Sequence, residues 1–264
     1  MNKKIKKILK KKNKSKIVCL TAYSKNMAVI LDKHCDLVLV GDSLGSVLYN
    51  YKSTKEVTID TMINHSKSVR LGVKKSLMVF DMPYNTYRNP KEALKNAKLV
   101  VKKTKCDAVK LEGGKKIIPI VKKLVKNKIP VMGHVGILPQ TDKKFTFKGK
   151  MQRERKKILY DTKLLEDAGV FSIVLECIET QLSKTITKQL KIPTIGIGSS
   201  SNCDGQVLVI DDLIGLSQSK FKFVKKYTDI TRVIDGAVKK YKSEVVKKRF
   251  PTRKHSFSTL KMHD

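Results

Sequence analysis

Eight short apolar runs recur along the chain, and most of the stretches between them have the length and periodicity of helices. The runs are "IVCLTAY" (17–23), "LVLVGDS" (37–43), "SLMVFDMP" (76–83), "DAVKLEGG" (107–114), "PVMGHVG" (130–136), "FSIVLEC" (171–177), "PTIGIGS" (193–199) and "QVLVIDD" (206–212). Residues 60–74, 90–104, 115–127 and 153–168 supply the clearest helical intervals. Strands joined by helical crossovers run parallel, and strands covered on both faces read as unbroken apolar runs. Eight such units in 264 residues predict an α/β fold, a (β/α)8 TIM barrel in preference to an open sheet. One unit fits poorly, because the six residues 200–205 between the last two runs are too few for a crossover helix.

No composition shift or Pro/Ser-rich linker divides the chain, so a single domain over 1–264 is expected. It opens with a basic amphipathic helix over 1–16, which places Ile5, Ile8 and Leu9 on one face. This segment lacks the apolar centre of a secretory signal. The stretch 140–152, "QTDKKFTFKGKMQ", has little periodicity and reads as a mobile loop over one face. The tail 250–264 lacks core periodicity. No apolar stretch approaches the ~18 residues that a membrane-spanning helix needs.

The net charge is +34, which raises the question of nucleic-acid binding. Only seven of the 57 basic residues are Arg, however, and the Lys residues are scattered through nearly every segment. Phosphate forks and base readout favour Arg, and no helix-turn-helix, zinc-finger or RNP-like signature is present. A basic solvated surface is the better reading. The five cysteines form no C-x-x-C pair and no zinc spacing, which points to packing roles in a reducing compartment.

The polar residues fall at the strand ends, which in a barrel converge on the face where active sites are built. Strand two ends on Asp42 and Ser43, strand three on Asp81, and strand four on Lys110, Glu112 and a glycine pair. Strand five carries His134, and strand six ends on Glu176 and Cys177. Three neighbouring carboxylates, Asp42, Asp81 and Glu112, repel one another and raise each other's pKa unless a cation intervenes. An all-oxygen donor set selects Mg²⁺ or Mn²⁺ over Zn²⁺. The plainer reading makes each acid a helix cap or the partner of a local Lys.

Lys110 shares a strand face with Glu112, where it either binds an anionic substrate group or closes a salt bridge. Glu176 ends an otherwise apolar strand, a setting suited to a general base. His134 either donates to a substrate oxygen or is a satisfied structural histidine. Cys177 points away from Glu176 and reads as packing. "GIGSSSNCDGQ" matches neither dinucleotide nor P-loop patterns and reads as a tight turn.

The motifs "TAY", "LVGDSLG", "HSKSVR", "DMPY", "VKLEGG", "IPVMGHVGILPQ", "LEC", "IPTIGIGSS" and "CDGQVLVIDD" occur in this order, with "FPTRKHSF" beyond them. Together they resemble the ketopantoate (3-methyl-2-oxobutanoate) hydroxymethyltransferase family. The resemblance implies a Mg²⁺-dependent (β/α)8 enzyme of pantothenate biosynthesis, cytoplasmic and homo-oligomeric, decameric in some members. It implies hydroxymethyl transfer from 5,10-methylenetetrahydrofolate to 3-methyl-2-oxobutanoate, which yields 2-dehydropantoate. Asp42 and Asp81 then bind the metal, and Glu112 completes the site. Asp42, Ser43, Asp81 and Lys110, with His134, face the substrate, and Glu176 is the proton acceptor.

Several positions depart from the family pattern. Ser24 stands where Asp is common, and Ile178-Glu179-Thr180 replace a segment that usually contains Pro. The loop 145–150 lacks the usual glycine pair and Tyr. Two other readings stand beside this one: another Mg²⁺-dependent α-keto-acid lyase or mutase on the same barrel, and a basic nucleic-acid-binding protein.

Overall fold

A computed structural model of the chain describes residues 2–142 and 146–257. Eight parallel strands close into a barrel in sequence order. They are β1 (Ile17–Thr21), β2 (Leu37–Val40), β3 (Leu77–Asp81), β4 (Ala108–Glu112), β5 (Val131–Gly136), β6 (Ser172–Glu176), β7 (Thr194–Ile197) and β8 (Gly205–Leu208). The helices are α1 (Lys3–Lys10), α2 (Lys25–Leu31), α3 (Leu44–Tyr49), α4 (Ile59–Gly72), α5 (Pro90–Thr104), α6 (Ile118–Lys126), α7 (Gln152–Asp167), α8 (Thr180–Gln189), α9 (Ile210–Leu213) and α10 (Ile230–Val246). All eight expected strands are present, and β7 and β8 are joined without a helix, as the short gap required.

The chain divides into two compact units. One comprises the residues up to Ile210 together with 221–224 and holds the whole barrel; the other comprises 211–220 and the residues from 225 onwards. Among the described residues no helix is long and apolar enough to cross a membrane.

The buried pattern follows from the architecture. Strands β2, β3 and β4 are buried at every position, because helices cover one face and the barrel interior the other. Helix starts are set locally. Asn89 accepts from the N–H groups of Lys91 and Glu92 at 3.1 and 2.9 Å, and Pro90 opens α5. Lys105, in the left-handed region at φ 54°, ends that helix.

The basic N-terminal segment forms a shorter helix than 1–16, since α1 ends at Lys10. Asn2 caps it by accepting from Lys4 N at 2.8 Å. Ile5 and Ile8, each 1% exposed, enter the barrel core beside Ile17, Leu37 and Leu77, the first residues of three strands. Helix α1 therefore plugs the N-terminal end of the barrel. Just beyond it, Lys12 Nζ reaches Asp204 Oδ2 at 2.8 Å and Thr187 O at 2.6 Å, and Asp204 also accepts from Thr194 N at 2.8 Å. A buried ion pair thus pins the segment after α1 to the starts of β7 and β8. The five cysteines are free and buried, in keeping with packing roles.

The same interior residues that close one end leave the other end for polar groups. Ile8→Ala removes most of a buried side chain from the plug and is expected to lower stability by about 2–5 kcal/mol. Urea unfolding followed by far-UV circular dichroism measures this.

Candidate active site

Strand register brings the predicted polar residues together at the C-terminal end of the barrel. Asp81 pairs with Lys110 across β3 and β4, Glu112 with His134 across β4 and β5, and Gly136 with Glu176 across β5 and β6. Alternation along each strand turns Asp81, Lys110, Glu112, His134 and Glu176 inward, above the apolar interior layers.

Lys110 is the electrostatic centre. Its Nζ lies 2.7 and 2.8 Å from the two oxygens of Asp81 and 3.7 Å from Glu112 Oε1, and all three side chains are 5% exposed or less. Burial opposes the ammonium charge, but attraction to Asp81, Glu112 and Asp42 outweighs it and holds the lysine protonated. The salt-bridge reading of Lys110 is thus the geometry present, and it places the cation between two acids of the rim.

His134 stands between two carboxylates, with Nδ1 3.3 Å from Glu112 Oε1 and Nε2 3.3 Å from Glu176 Oε2. Neither contact meets the full geometry of a hydrogen bond, although each nitrogen faces a carboxylate oxygen at close range. Burial and the Lys110 charge favour the neutral ring, yet Glu112 and Glu176 outweigh them and push the imidazole up to about 9. His134 is therefore a cation at neutral pH, flanked by acids on both nitrogens. The Glu176 side chain is 13% exposed, against 3% for Asp81 and Glu112. Of these three acids it is the most accessible to an incoming molecule.

Asp42 sits just past β2, and its carboxylate accepts from Gln140 Nε2 at 2.9 Å rather than capping α3. Its N–H donates to Asp81 Oδ2 at 3.4 Å. Burial and the charges of Asp81 and Glu112 push the Asp42 carboxyl well above the usual range, against the opposing pull of Lys110 and Gln140. Burial also raises Asp81, with Lys110 pulling the other way. Glu112 departs from the expected mutual elevation. Burial raises it, but His134, Lys110 and the Gln140 N–H together hold it below the carboxylate range. Ser43 Oγ exchanges a 2.8 Å hydrogen bond with Tyr23 OH beside this group.

The donor set suits a hard divalent cation. Asp42 and Asp81 are buried carboxylates, each pushed up by burial and by neighbouring acids, and a cation between them would relieve the repulsion at Asp42. Four acids face two cations in the cluster, so full ionisation leaves two negative charges, which one divalent ion offsets. Among the described residues no three His, Cys, Asp or Glu side chains enclose an ion by themselves. Mg²⁺ does not need them, since one or two carboxylates plus water and substrate complete its shell. Glu112 is occupied instead by His134, Lys110 and the Gln140 N–H.

Two residues absent from the sequence-based site belong to it. Gln140, 1% exposed, donates through Nε2 to Asp42 and to Met82 O, and its N–H donates to Glu112 Oε2. Tyr87 OH donates to Gln140 Oε1. The start of the 140–152 stretch is thus part of the packed rim and not a mobile loop. Residues 143–145 of that stretch, and with them Phe145 of the altered family loop, lie outside the described residues, as do 258–264 of the tail. Gln140 was visible as the polar residue closing "GHVGILPQ", but nothing in the spacing aimed it at Asp42.

The departures from the family pattern have local roles. Ser24 caps α2, accepting from Met27 N at 3.5 Å. Glu179 caps α8 through Gln181 N and Leu182 N at 2.8 and 2.9 Å and pairs with Arg155 at 2.7 Å.

The class defined by this fold and rim is a parallel (β/α)8 barrel enzyme with its chemistry at the strand C-termini. Phosphonopyruvate hydrolase superposes with a TM-score of 0.64 at 9% identity, over 97% of this chain and 92% of that one. A structure of that hydrolase with oxalate and Mg²⁺ superposes with a TM-score of 0.60 at 10% identity, covering 96% of this chain and 93% of that one. 2,3-Dimethylmalate lyase, of the PEP mutase/isocitrate lyase superfamily, gives 0.61 at 12% identity over 79% of each chain. These likenesses establish the fold.

A family model for ketopantoate hydroxymethyltransferase matches residues 2–253, and the chain belongs to that family. The 3-methyl-2-oxobutanoate hydroxymethyltransferase of Pelagibacter ubique is 68% identical over 257 residues, covering 97% of this chain and all of that one. The Anaplasma marginale (strain Florida) enzyme of the same name is 47% identical over 251 residues, covering 94% of this chain and 91% of that one.

The glycines after Glu112 are explained by their surroundings. Gly113 adopts φ 132°, and a Cβ on Gly114 would overlap the carboxylate of Asp161. Asp161 is buried and cannot retreat freely, because it accepts from Lys115 N at 2.9 Å and from Lys157 Nζ at 2.6 Å. Gly114→Ala is expected to cost about 1–3 kcal/mol by overpacking. Displacement of Glu112 is expected to lower turnover by up to ~10²-fold. Thermal unfolding and steady-state kinetics on the same sample test both.

Proposed function

We propose that this chain transfers a hydroxymethyl group from 5,10-methylenetetrahydrofolate to 3-methyl-2-oxobutanoate, with Mg²⁺ held by Asp42 and Asp81. The observation that carries the reading is the convergence of Asp42, Asp81, Lys110, Glu112, His134 and Glu176 at one barrel end, in a member of this family. Bound Mg²⁺ supplies Lewis-acid polarisation of the 2-oxo group and so acidifies the C3 proton.

The remaining work falls to the chain's own residues. Glu176 removes the C3 proton and is the acid best placed for it, being the more exposed partner of His134. His134, with Nε2 3.3 Å from Glu176 Oε2, positions that carboxylate from the inner side of the rim and presents its ring to the substrate side. Lys110 supplies positive charge for the substrate's anionic group, with Asp81 fixing its position. Ser43, steadied by Tyr23, lines the substrate side of Asp42. Glu112 would complete the metal site while holding His134 from its Nδ1 side. The C3 carbon of the enolate then bonds to the methylene carbon of the folate. Over the whole reaction both C–N bonds to that carbon break and water supplies the hydroxyl oxygen. The C3 proton and one proton of the water end on the folate nitrogens, so that tetrahydrofolate leaves.

Glu176→Gln is expected to lower C3 proton exchange of the keto acid by about 10²–10⁴-fold while Mg²⁺ binding is retained. Exchange followed by NMR in deuterated buffer measures the first, and calorimetric titration the second. Unchanged exchange removes Glu176 from the base role. The competing lyase or mutase reading requires turnover without methylenetetrahydrofolate, so strict dependence of 2-dehydropantoate formation on the folate excludes it.

The protein acts as a cytoplasmic homo-oligomer in this reading. Helix α10 supports it, because this helix has no buried residue and exposes Val233, Ile234, Val238, Tyr241 and Val245 at helical spacing. A second copy of the chain covers that stripe. Light scattering is expected to give a mass several times that of one chain, and Val238→Glu with Tyr241→Glu to reduce it. A monomeric wild-type protein would overturn this assignment.

A further inference from the structure

We infer that Gln140 is a positioning residue for the metal-binding face of the site, selecting which oxygen of Asp42 is presented to the cation. The inference rests on the reading that Asp42 is a metal ligand and adds to it a side chain that touches neither ion nor substrate. Its basis is the hydrogen-bond pattern of one buried amide.

Gln140 is 1% exposed, and both ends of its side chain are engaged. Nε2 lies 2.9 Å from Asp42 Oδ2 and 3.0 Å from Met82 O. A carbonyl oxygen and a carboxylate oxygen that receives this bond are acceptors, so the atom facing both must be the amide nitrogen. Tyr87 OH then donates to Oε1. The amide orientation is therefore dictated by chemistry from both sides, with Tyr87 locking it from the far end.

The consequence lies at Asp42. One carboxylate oxygen, Oδ2, is committed to an internal donor, and the other is left for a cation. A carboxylate held in this way offers a single oxygen at a fixed angle, whereas an untethered one is free to rotate or to bind through both oxygens. The same residue reaches a second acid, because its N–H donates to Glu112 Oε2 at 3.1 Å. Gln140 thus ties the ends of β2 and β4 into one frame from the loop that follows β5. Its contact with Met82 O adds the end of β3 to the same frame.

The variants Gln140→Met and Tyr87→Phe test this against wild type and Asp42→Asn. Mn²⁺ serves as the probe, titrated by electron paramagnetic resonance in the absence of substrates, with thermal unfolding of the same samples. Gln140→Met keeps much of the side-chain volume and the backbone N–H but deletes the donor. It is expected to weaken Mn²⁺ binding by roughly 10–100-fold, the usual effect of losing a partner of a metal ligand. Tyr87→Phe unlocks the amide without removing it and is expected to weaken binding by a smaller factor, still above two-fold. If Gln140→Met fails to fold, Tyr87→Phe decides the question by itself.

Mn²⁺ affinity within two-fold of wild type in a folded Gln140→Met protein overturns the inference, whatever its melting temperature, because that is the signature of mere packing. The same result in Tyr87→Phe, where Gln140→Met does not fold, overturns it equally. Asp42→Asn separates the two levels. If Asp42→Asn binds Mn²⁺ as wild type does, the metal reading of Asp42 fails and takes the inference with it. If Asp42→Asn loses binding while the other two variants keep it, the inference alone fails.

Discussion

A lysine ammonium buried between carboxylates is tolerable in a barrel interior only if its charge is met at close range, and Lys110 meets that condition with Asp81 at 2.7 and 2.8 Å. The rest of the site is arranged around that pair. Glu112 flanks it at 3.7 Å, His134 answers Glu112, and Glu176 answers His134, so charges of opposite sign alternate around the rim. Removing one member leaves its neighbours desolvated and unbalanced, which makes the cluster a unit more than a set of separate residues. For Asp42 the Lys110 charge and the Gln140 amide do not offset burial and the charges of Asp81 and Glu112, and its carboxyl is pushed well above the ordinary range. That under-compensated acid is where a divalent cation would have the most to gain.

The two ends of the barrel solve opposite problems with the same strands. At the N-terminal end, Ile5 and Ile8 of α1 continue the apolar core and exclude water. At the C-terminal end, inward positions switch from apolar to charged within one step of the alternation, from Val79 to Asp81 and from Ala108 to Lys110. Rigid strands hold the charged groups in place, and the loops beyond supply adjustable contacts, as Gln140 shows.

Much of this was legible in the residues themselves. The (β/α)8 fold followed from eight apolar runs and helical spacing, and the missing helix between β7 and β8 from six intervening residues. Asp42, Asp81, Lys110, Glu112, His134 and Glu176 could be named because strand ends of a barrel must converge. What could not be named was which charges pair. Glu112 looked like one of three equivalent acids, yet it is held low by His134, Lys110 and the Gln140 N–H, while burial holds Asp42 and Asp81 high. Gln140 and Tyr87 were missed for the same reason, since one lay in an aperiodic stretch and the other in a polar loop.

The sequence by itself determined periodicity, and with it the strands, most of the crossover helices and the polar residues at the barrel mouth, because those depend on local spacing and on alternation along a strand. It also determined family membership, through long motifs in fixed order. Only the tertiary structure decided that Lys110 satisfies Asp81, that His134 sits between Glu112 and Glu176, and that Gln140 holds Asp42 from 98 residues away. Those pairings depend on barrel register and loop path, and the strength of a charge interaction falls with a distance that spacing along the chain does not reveal.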